Sequence, residues 1–160
     1  LPYHRPAPAP TEEDPYLVFS GVRVDPYVQT GQRNTGALRR RSPAPHFSVH
    51  PADAAREGLV EGQWARLETE HGHVSAKVSV QPGMRPGHVR VPHGWWYPET
   101  RGEVDLAGAF VSSDAVLTVD TDDLLDHEQG IPHFKGYPGR LVPCDPPAGL
   151  SKTTLEGAPA

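Results

Sequence analysis

Between His46 and Trp96 the chain sets out strand, helix and hairpin signals in an order that fits a small β architecture and little else. His46-Phe47-Ser48-Val49-His50 reads as a strand. Pro51 then supplies the φ wanted at a first helical position, Ala52 to Glu57 fill one or two turns, and Gly58 stands where a left-handed residue ends a helix. That punctuation predicts a helix over residues 51–57. The run from Trp64 to Thr69 alternates, as do Val74, Ala76, Val78 and Val80 against Ser75, Lys77, Ser79 and Gln81; a tight turn at His71-Gly72 joins them into a half-buried hairpin. Pro82-Gly83 and Pro86-Gly87 bracket another turn, His88-Val89-Arg90-Val91 makes a further strand, and the chain reaches the loop Pro92-His93-Gly94-Trp95-Trp96-Tyr97-Pro98.

The flanks add two strands. Tyr16-Leu17-Val18-Phe19-Ser20 is apolar and ends at Gly21-Val22-Arg23, where the backbone is freed as a cationic side chain appears; Arg140-Leu141-Val142 can form a last strand. Val24 to Pro45 shows no periodicity and reads as one long loop, with the run Arg39-Arg40-Arg41 as a solvated face or a partner for an acidic surface elsewhere. Residues 1–15, with five prolines beside Glu12-Glu13-Asp14, read as an interdomain linker, 16–143 as the folded domain, and 144–160 as a flexible tail. A length of 160 residues suits one domain, and 19 prolines with 16 glycines suit short strands and loops rather than a helical bundle.

Composition also excludes functions. A net charge of −5 argues against a broad basic field for nucleic acid, while leaving room for a local cationic site for a few phosphates. The single Cys144 rules out an intramolecular disulfide and any cluster or zinc site built from several thiolates of this chain. No apolar run approaches the roughly 20 residues of a membrane-spanning helix. The nine histidines form no HExxH or Cys-His pattern, so neither a metal site nor stoichiometric zinc at His71 and His73 is expected. The compartment stays open, with the cytoplasm favoured over the periplasm.

Five stretches carry a resemblance: Val49-His50-Pro51-Ala52-Asp53-Ala54, Gly58-Leu59-Val60-Glu61-Gly62-Gln63, Glu68-Thr69-Glu70-His71-Gly72, Pro86-Gly87 and Gly94-Trp95-Trp96-Tyr97-Pro98-Glu99. In this order and spacing the chain resembles the C-terminal pterin-dinucleotide-binding domain of the molybdenum and tungsten oxidoreductases related to dimethyl sulfoxide reductase and formate dehydrogenase. The resemblance implies a mainly β fold, a double-psi β-barrel with short helices and long loops. It implies a module that positions part of a molybdopterin guanine dinucleotide, a bis-pterin cofactor of molybdenum or tungsten. The rest of that cofactor would be held by upstream catalytic domains of the same polypeptide or by a catalytic subunit. No residue here is expected to perform the chemistry or to ligate the metal, because in the family that ligand comes from an earlier domain.

By the same resemblance the cofactor contacts are Gly21, Val22 and Arg23, then Tyr27, Gln29 and Arg33, then His93, Gly94, Trp95 and Trp96, then Asp114, and finally Phe134 and Lys135. The residue types suit a diphosphate: glycine admits close approach of the main chain, and a guanidinium offers planar, bidentate contacts. Of the two tryptophans, one ring can fill a core while the other faces the cofactor or a neighbouring domain, and the sequence does not say which. Asp114 stands where the family often has asparagine; a carboxylate accepts hydrogen bonds but, ionised, donates none. Two further readings remain: a stand-alone double-psi barrel used for protein interaction, and a small enzyme subunit such as the one with this fold in formylmethanofuran dehydrogenase.

Overall fold

The computed structural model describes residues 6, 8–100, 105–119, 121–122, 125–128, 130–132, 135–148 and 150. In chain order it contains β1 (Tyr16–Val22), α1 (Gly36–Arg41), β2 (His46–Val49), α2 (Pro51–Arg56), β3 (Trp64–Glu68), β4 (His73–Val80), β5 (His88–Pro92), α3 (Ala109–Ser112), β6 (Leu125–Asp126), β7 (Ile131–Pro132) and β8 (Lys135–Pro143). Short 3₁₀ turns occupy Pro98–Thr100, Asp105–Gly108 and Asp114–Leu117.

Six strands close into a barrel in the order β1-β5-β2-β4-β3-β8, and β6 pairs with β7 apart from it. β1 runs parallel to β5 and β2 parallel to β4, while β2–β5, β3–β4, β3–β8 and β1–β8 are antiparallel. Two parallel pairs joined in this way make a double-psi β-barrel. Closure leaves none of these six strands with an unpaired edge.

The alternation seen in the sequence fills the barrel. Val74, Ala76 and Val78 point inward and are buried; Val80, at the strand end, is partly buried against the same core. Phe47, Val49, Val18, Val89 and Leu67 meet them from the other strands. A fully buried aliphatic or aromatic side chain of this kind contributes about 1.5–3 kcal/mol. The hairpin turns at the expected place, with Thr69 N–H donating to the Gly72 carbonyl at 2.8 Å. α2 starts at Pro51 with the His50 ring nitrogen accepting from Ala52 N–H (3.1 Å), and its last helical residue is Arg56, one short of the expected end. Gly58 follows in the left-handed region (φ +66°), as its place in the sequence required.

One expectation needs correcting. The stretch Val24–Pro45 is not all loop, because Gly36–Arg41 forms α1. Six residues are too few to display a helical period, and the side chain that this helix buries most deeply is the charged Arg39 rather than an apolar one. The triple arginine therefore divides: Arg39 is 3% exposed and paired to Glu99, whereas Arg40 and Arg41 are exposed, Arg41 reaching Asp25 at 2.7 Å.

The end of the barrel where β1 and β5 begin is closed by polar contacts of its own. Buried Asp53 accepts from Gly87 N–H (2.7 Å) and pairs with Arg56 (3.1 Å), and the Tyr16 hydroxyl donates to Glu57 (2.5 Å). Near the chain ends, Arg140 pairs with Glu13 at 2.9 Å, and Leu150, within the stretch read as tail, is buried against the aromatic cluster described below. Among the described residues no helix is long and apolar enough to cross a membrane.

Candidate functional site

Strand direction decides which loops meet. Because β1 and β5 are parallel, their exits, Gly21–Arg23 and His93–Trp96, emerge at the same end of the barrel. β8 is antiparallel to β1, so it begins at that end, with Lys135 in register with Phe19. His93 N–H donates to the Val22 carbonyl (2.9 Å), which extends the pairing of β1 and β5 into both loops. Three segments far apart in sequence thus share one rim.

At the centre of the rim is Asp114, at the start of a 3₁₀ turn and 4% exposed. Its Oδ2 accepts from Gly21 N–H at 2.7 Å and lies 3.2 Å from His93 Nδ1, and its Oδ1 accepts from Gly94 N–H at 2.8 Å. Both glycines have positive φ, +71° at Gly21 and +53° at Gly94, so each turns its N–H inward in a conformation that a residue with a side chain adopts at a cost.

Behind the 93–96 loop stands a stack of arginines and aromatic rings. The Arg33 guanidinium lies 4.6 Å from the Tyr27 ring centroid and 4.3 Å from that of Trp95; Arg39 lies 5.1 Å from Trp95 and 5.8 Å from Tyr97. Arg39 grips the Glu99 carboxylate with Nε (2.8 Å) and Nη2 (3.2 Å). Arg33, fully buried, instead donates to backbone carbonyls: Nε to Gly94 (3.3 Å), Nη2 to His93 (2.7 Å) and Gln29 (3.4 Å). Burial lowers its pKa to about 10, so it remains a cation at neutral pH. Its charge is met by ring faces and carbonyl dipoles, a cation–π contact of this desolvated kind being worth about 2 kcal/mol or more. Arg33 Nη1 and Trp95 Nε1 are buried donors that find no acceptor among the described residues.

The residues expected to touch a cofactor fall into two sets. Gly21, Val22, Arg23, Gln29, His93, Trp96 and Lys135 are exposed or partly exposed. Tyr27, Arg33, Gly94, Trp95 and Asp114 are buried beneath or within the loops. Trp95 is the ring that packs inward; Trp96 remains partly exposed and donates its Nε1–H to the Thr30 carbonyl (2.7 Å). Phe134 lies outside the described residues. Arg23 and Lys135 form no ion pair among the described residues, and no group of three or more His, Cys, Asp or Glu is placed there to hold a metal ion.

Sequence reasoning missed the Arg39–Glu99 pair and Thr30. Glu99 closes the last of the five quoted stretches, which was its only signal. Thr30 had none, because its role is a main-chain carbonyl offered to Trp96 and a methyl laid over Gly94.

A double-psi barrel with two glycine turns, an indole-bearing loop and two exposed cations gathered at one rim defines a loop-lined binding module of the kind that takes an anionic ligand. Similarity to known proteins narrows the class. Residues 17–138 match the model of the molydopterin dinucleotide binding domain, and the chain belongs to that family. It is 35% identical over 142 residues to acetylene hydratase of Syntrophotalea acetylenica, covering 84% of this chain and 20% of the relative. It is 36% identical over 94 residues to a nitrate reductase of Klebsiella oxytoca, covering 57% of this chain and 11% of the relative. The solved structure of acetylene hydratase from Pelobacter acetylenicus superposes with a TM-score of 0.79 at 33% identity, over 90% of this chain and 21% of that one. The chain spans about a fifth of the acetylene hydratase length. It is therefore a domain that binds a molybdopterin-type dinucleotide, of a size that forms a small part of its relatives.

Proposed function

We propose that the rim formed by Gly21–Arg23, His93–Trp96 and Lys135 holds the nucleotide half of a molybdopterin guanine dinucleotide, as one wall of a bis-pterin molybdenum or tungsten oxidoreductase. The other wall is supplied by upstream catalytic domains of the same polypeptide or by a catalytic subunit. The observation that carries this reading is the common end of three sequence-distant segments, fixed by the parallel β1–β5 pair and by Asp114.

The residues present suit the ligand. Arg23 and Lys135 are exposed cations available to a diphosphate, the backbone at Gly21 bears no side chain to obstruct approach, and Trp96 and His93 present partly exposed rings for a heterocycle. When bound, the cofactor supplies the redox chemistry at its metal. This chain binds it, orients it and covers part of it from water. In this reading residues 16–143 are the folded unit and 1–15 a linker.

The test is retention of the cofactor by the assembled oxidoreductase that contains this chain. Replacing Arg23 with alanine removes a charge-assisted contact of about 1.5–3 kcal/mol, which is roughly a 10- to 150-fold weaker hold. The circular dichroism of the barrel is expected to be unchanged, because Arg23 is exposed. Unaltered retention in both Arg23→Ala and Lys135→Ala would refute the proposal.

A further inference from the structure

Gly94 is gripped at both of its main-chain polar groups by buried side chains of opposite charge. Its N–H is held by Asp114 Oδ1 (2.8 Å) and its carbonyl by Arg33 Nε (3.3 Å). The preceding residue repeats the pattern: His93 offers Nδ1 to Asp114 Oδ2 (3.2 Å) and its carbonyl to Arg33 Nη2 (2.7 Å). Asp114 and Arg33 thus form a charge pair whose members meet through the main chain of Gly94 and through the ring and carbonyl of His93. Asp114 has a second hold, on Gly21 N–H (2.7 Å), which Arg33 does not share. Arg33 has its own second hold, on the Gln29 carbonyl (3.4 Å), at a residue strained into positive φ (+51°).

We propose that Asp114 and Arg33 are positioning residues, an internal clasp that sets the spacing between the Gly21 turn, the His93–Gly94 turn and the 27–33 loop, and that Asp114 does not itself contact the ligand. The carboxylate is 4% exposed and both of its oxygens are engaged by the protein, so ligand donors do not reach it. The inward-turned N–H groups of Gly21 and Gly94, which would otherwise cradle an anion, are occupied by this carboxylate, so ligand phosphate is left to the side chains of Arg23 and Lys135. What the clasp positions rests on the function proposed above; the clasp itself does not.

The test is amide hydrogen exchange, resolved by residue, on the 160-residue chain without ligand. In Asp114→Ala, exchange at both Gly21 and Gly94 is expected to rise about tenfold or more, while Val78 and Val89 in the barrel keep their rates. Asp114→Asn retains one acceptor oxygen and places an amide donor where the second stood, so one glycine stays protected and the other is released. Arg33→Met loosens Gly94 and leaves Gly21 unchanged, an asymmetry that general loss of packing does not produce. Unchanged exchange at the two glycines in Asp114→Ala overturns the clasp, as does equal acceleration at Gly21 and Gly94 in Arg33→Met. A parallel measurement of cofactor retention in the assembled oxidoreductase separates the two claims. If the exchange pattern holds while Asp114→Ala retains cofactor as well as the parent does, the clasp stands and the ligand-bearing role of this rim fails.

Discussion

Replacing Gly94 with alanine tests the packing of the rim. A Cβ at this position would sit 2.1 Å from Thr30 Cγ2 and 3.2 Å from Thr30 Cβ, and the backbone is left-handed at φ +53°. Holding an L-residue in that region costs about 1–2 kcal/mol. Relief of the overlap requires the 27–33 loop to withdraw, and the bond from Trp96 Nε1 to the Thr30 carbonyl (2.7 Å) goes with it, a further loss of about 0.5–1.5 kcal/mol. Together these predict a destabilisation of about 1.5–3.5 kcal/mol, measured by urea unfolding. For a domain of this size each kcal/mol lowers Tm by roughly 2–4 °C. The two parts are separable. Thr30→Ser removes the methyl that obstructs the new Cβ, so the double variant should recover the loop contact and retain only the backbone cost. A loss below about 0.5 kcal/mol in Gly94→Ala, or no recovery in the double variant, would contradict the packing described.

Phe47→Ala, at the centre of the barrel and fully buried, is expected to cost about 3–5 kcal/mol in the same unfolding assay. Asp53→Ala leaves Gly87 N–H without its acceptor and Arg56 without its buried partner, and should cost about 1–3 kcal/mol; a neutral outcome would mean that water replaces the carboxylate. Stability should fall in acid in two stages. Burial, and then Lys77, hold His46 below its ordinary 6.5, so the unfolded chain takes up that proton first and stability is full above about pH 6.5 and declines below it. Burial raises Glu68, but hydrogen bonds from Arg140 and Arg66 outweigh it and hold the carboxyl below its ordinary 4.5, so a second decline begins as pH drops under that value. Unfolding midpoints followed from about pH 7 to pH 3 should show both stages, and His46→Gln should remove only the upper one.

The barrel was legible because its strands alternate and its turns are marked. Val74, Ala76, Val78, the Pro51 start of α2 and Gly58 each follow from a local rule, and the order of these elements then limits the topology. The loops that meet at the rim were legible as separate segments more than in their arrangement. That Gly21 and Gly94 share one carboxylate depends on a contact across 93 residues in one case and 20 in the other, which no local pattern encodes. Arg33 read as a cofactor contact and Arg39 as part of a solvated face or a partner for an acidic surface, because cations seldom enter a core, yet the rings of Tyr27, Trp95 and Tyr97 and the Glu99 carboxylate give them partners there. α1 escaped notice for the same reason, since its buried face is an arginine.

The central claim is that the dinucleotide lies on the rim where β1 and β5 end. The most direct measurement is an experimental structure of the cofactor-loaded oxidoreductase that carries this chain. The diphosphate is expected within hydrogen-bonding reach of Arg23 or Lys135, a ring of the cofactor against Trp96 or His93, and Asp114 still bound to Gly21 and Gly94. A dinucleotide found at the opposite end, beside Asp53 and Gly87, or held wholly by other domains, would contradict it.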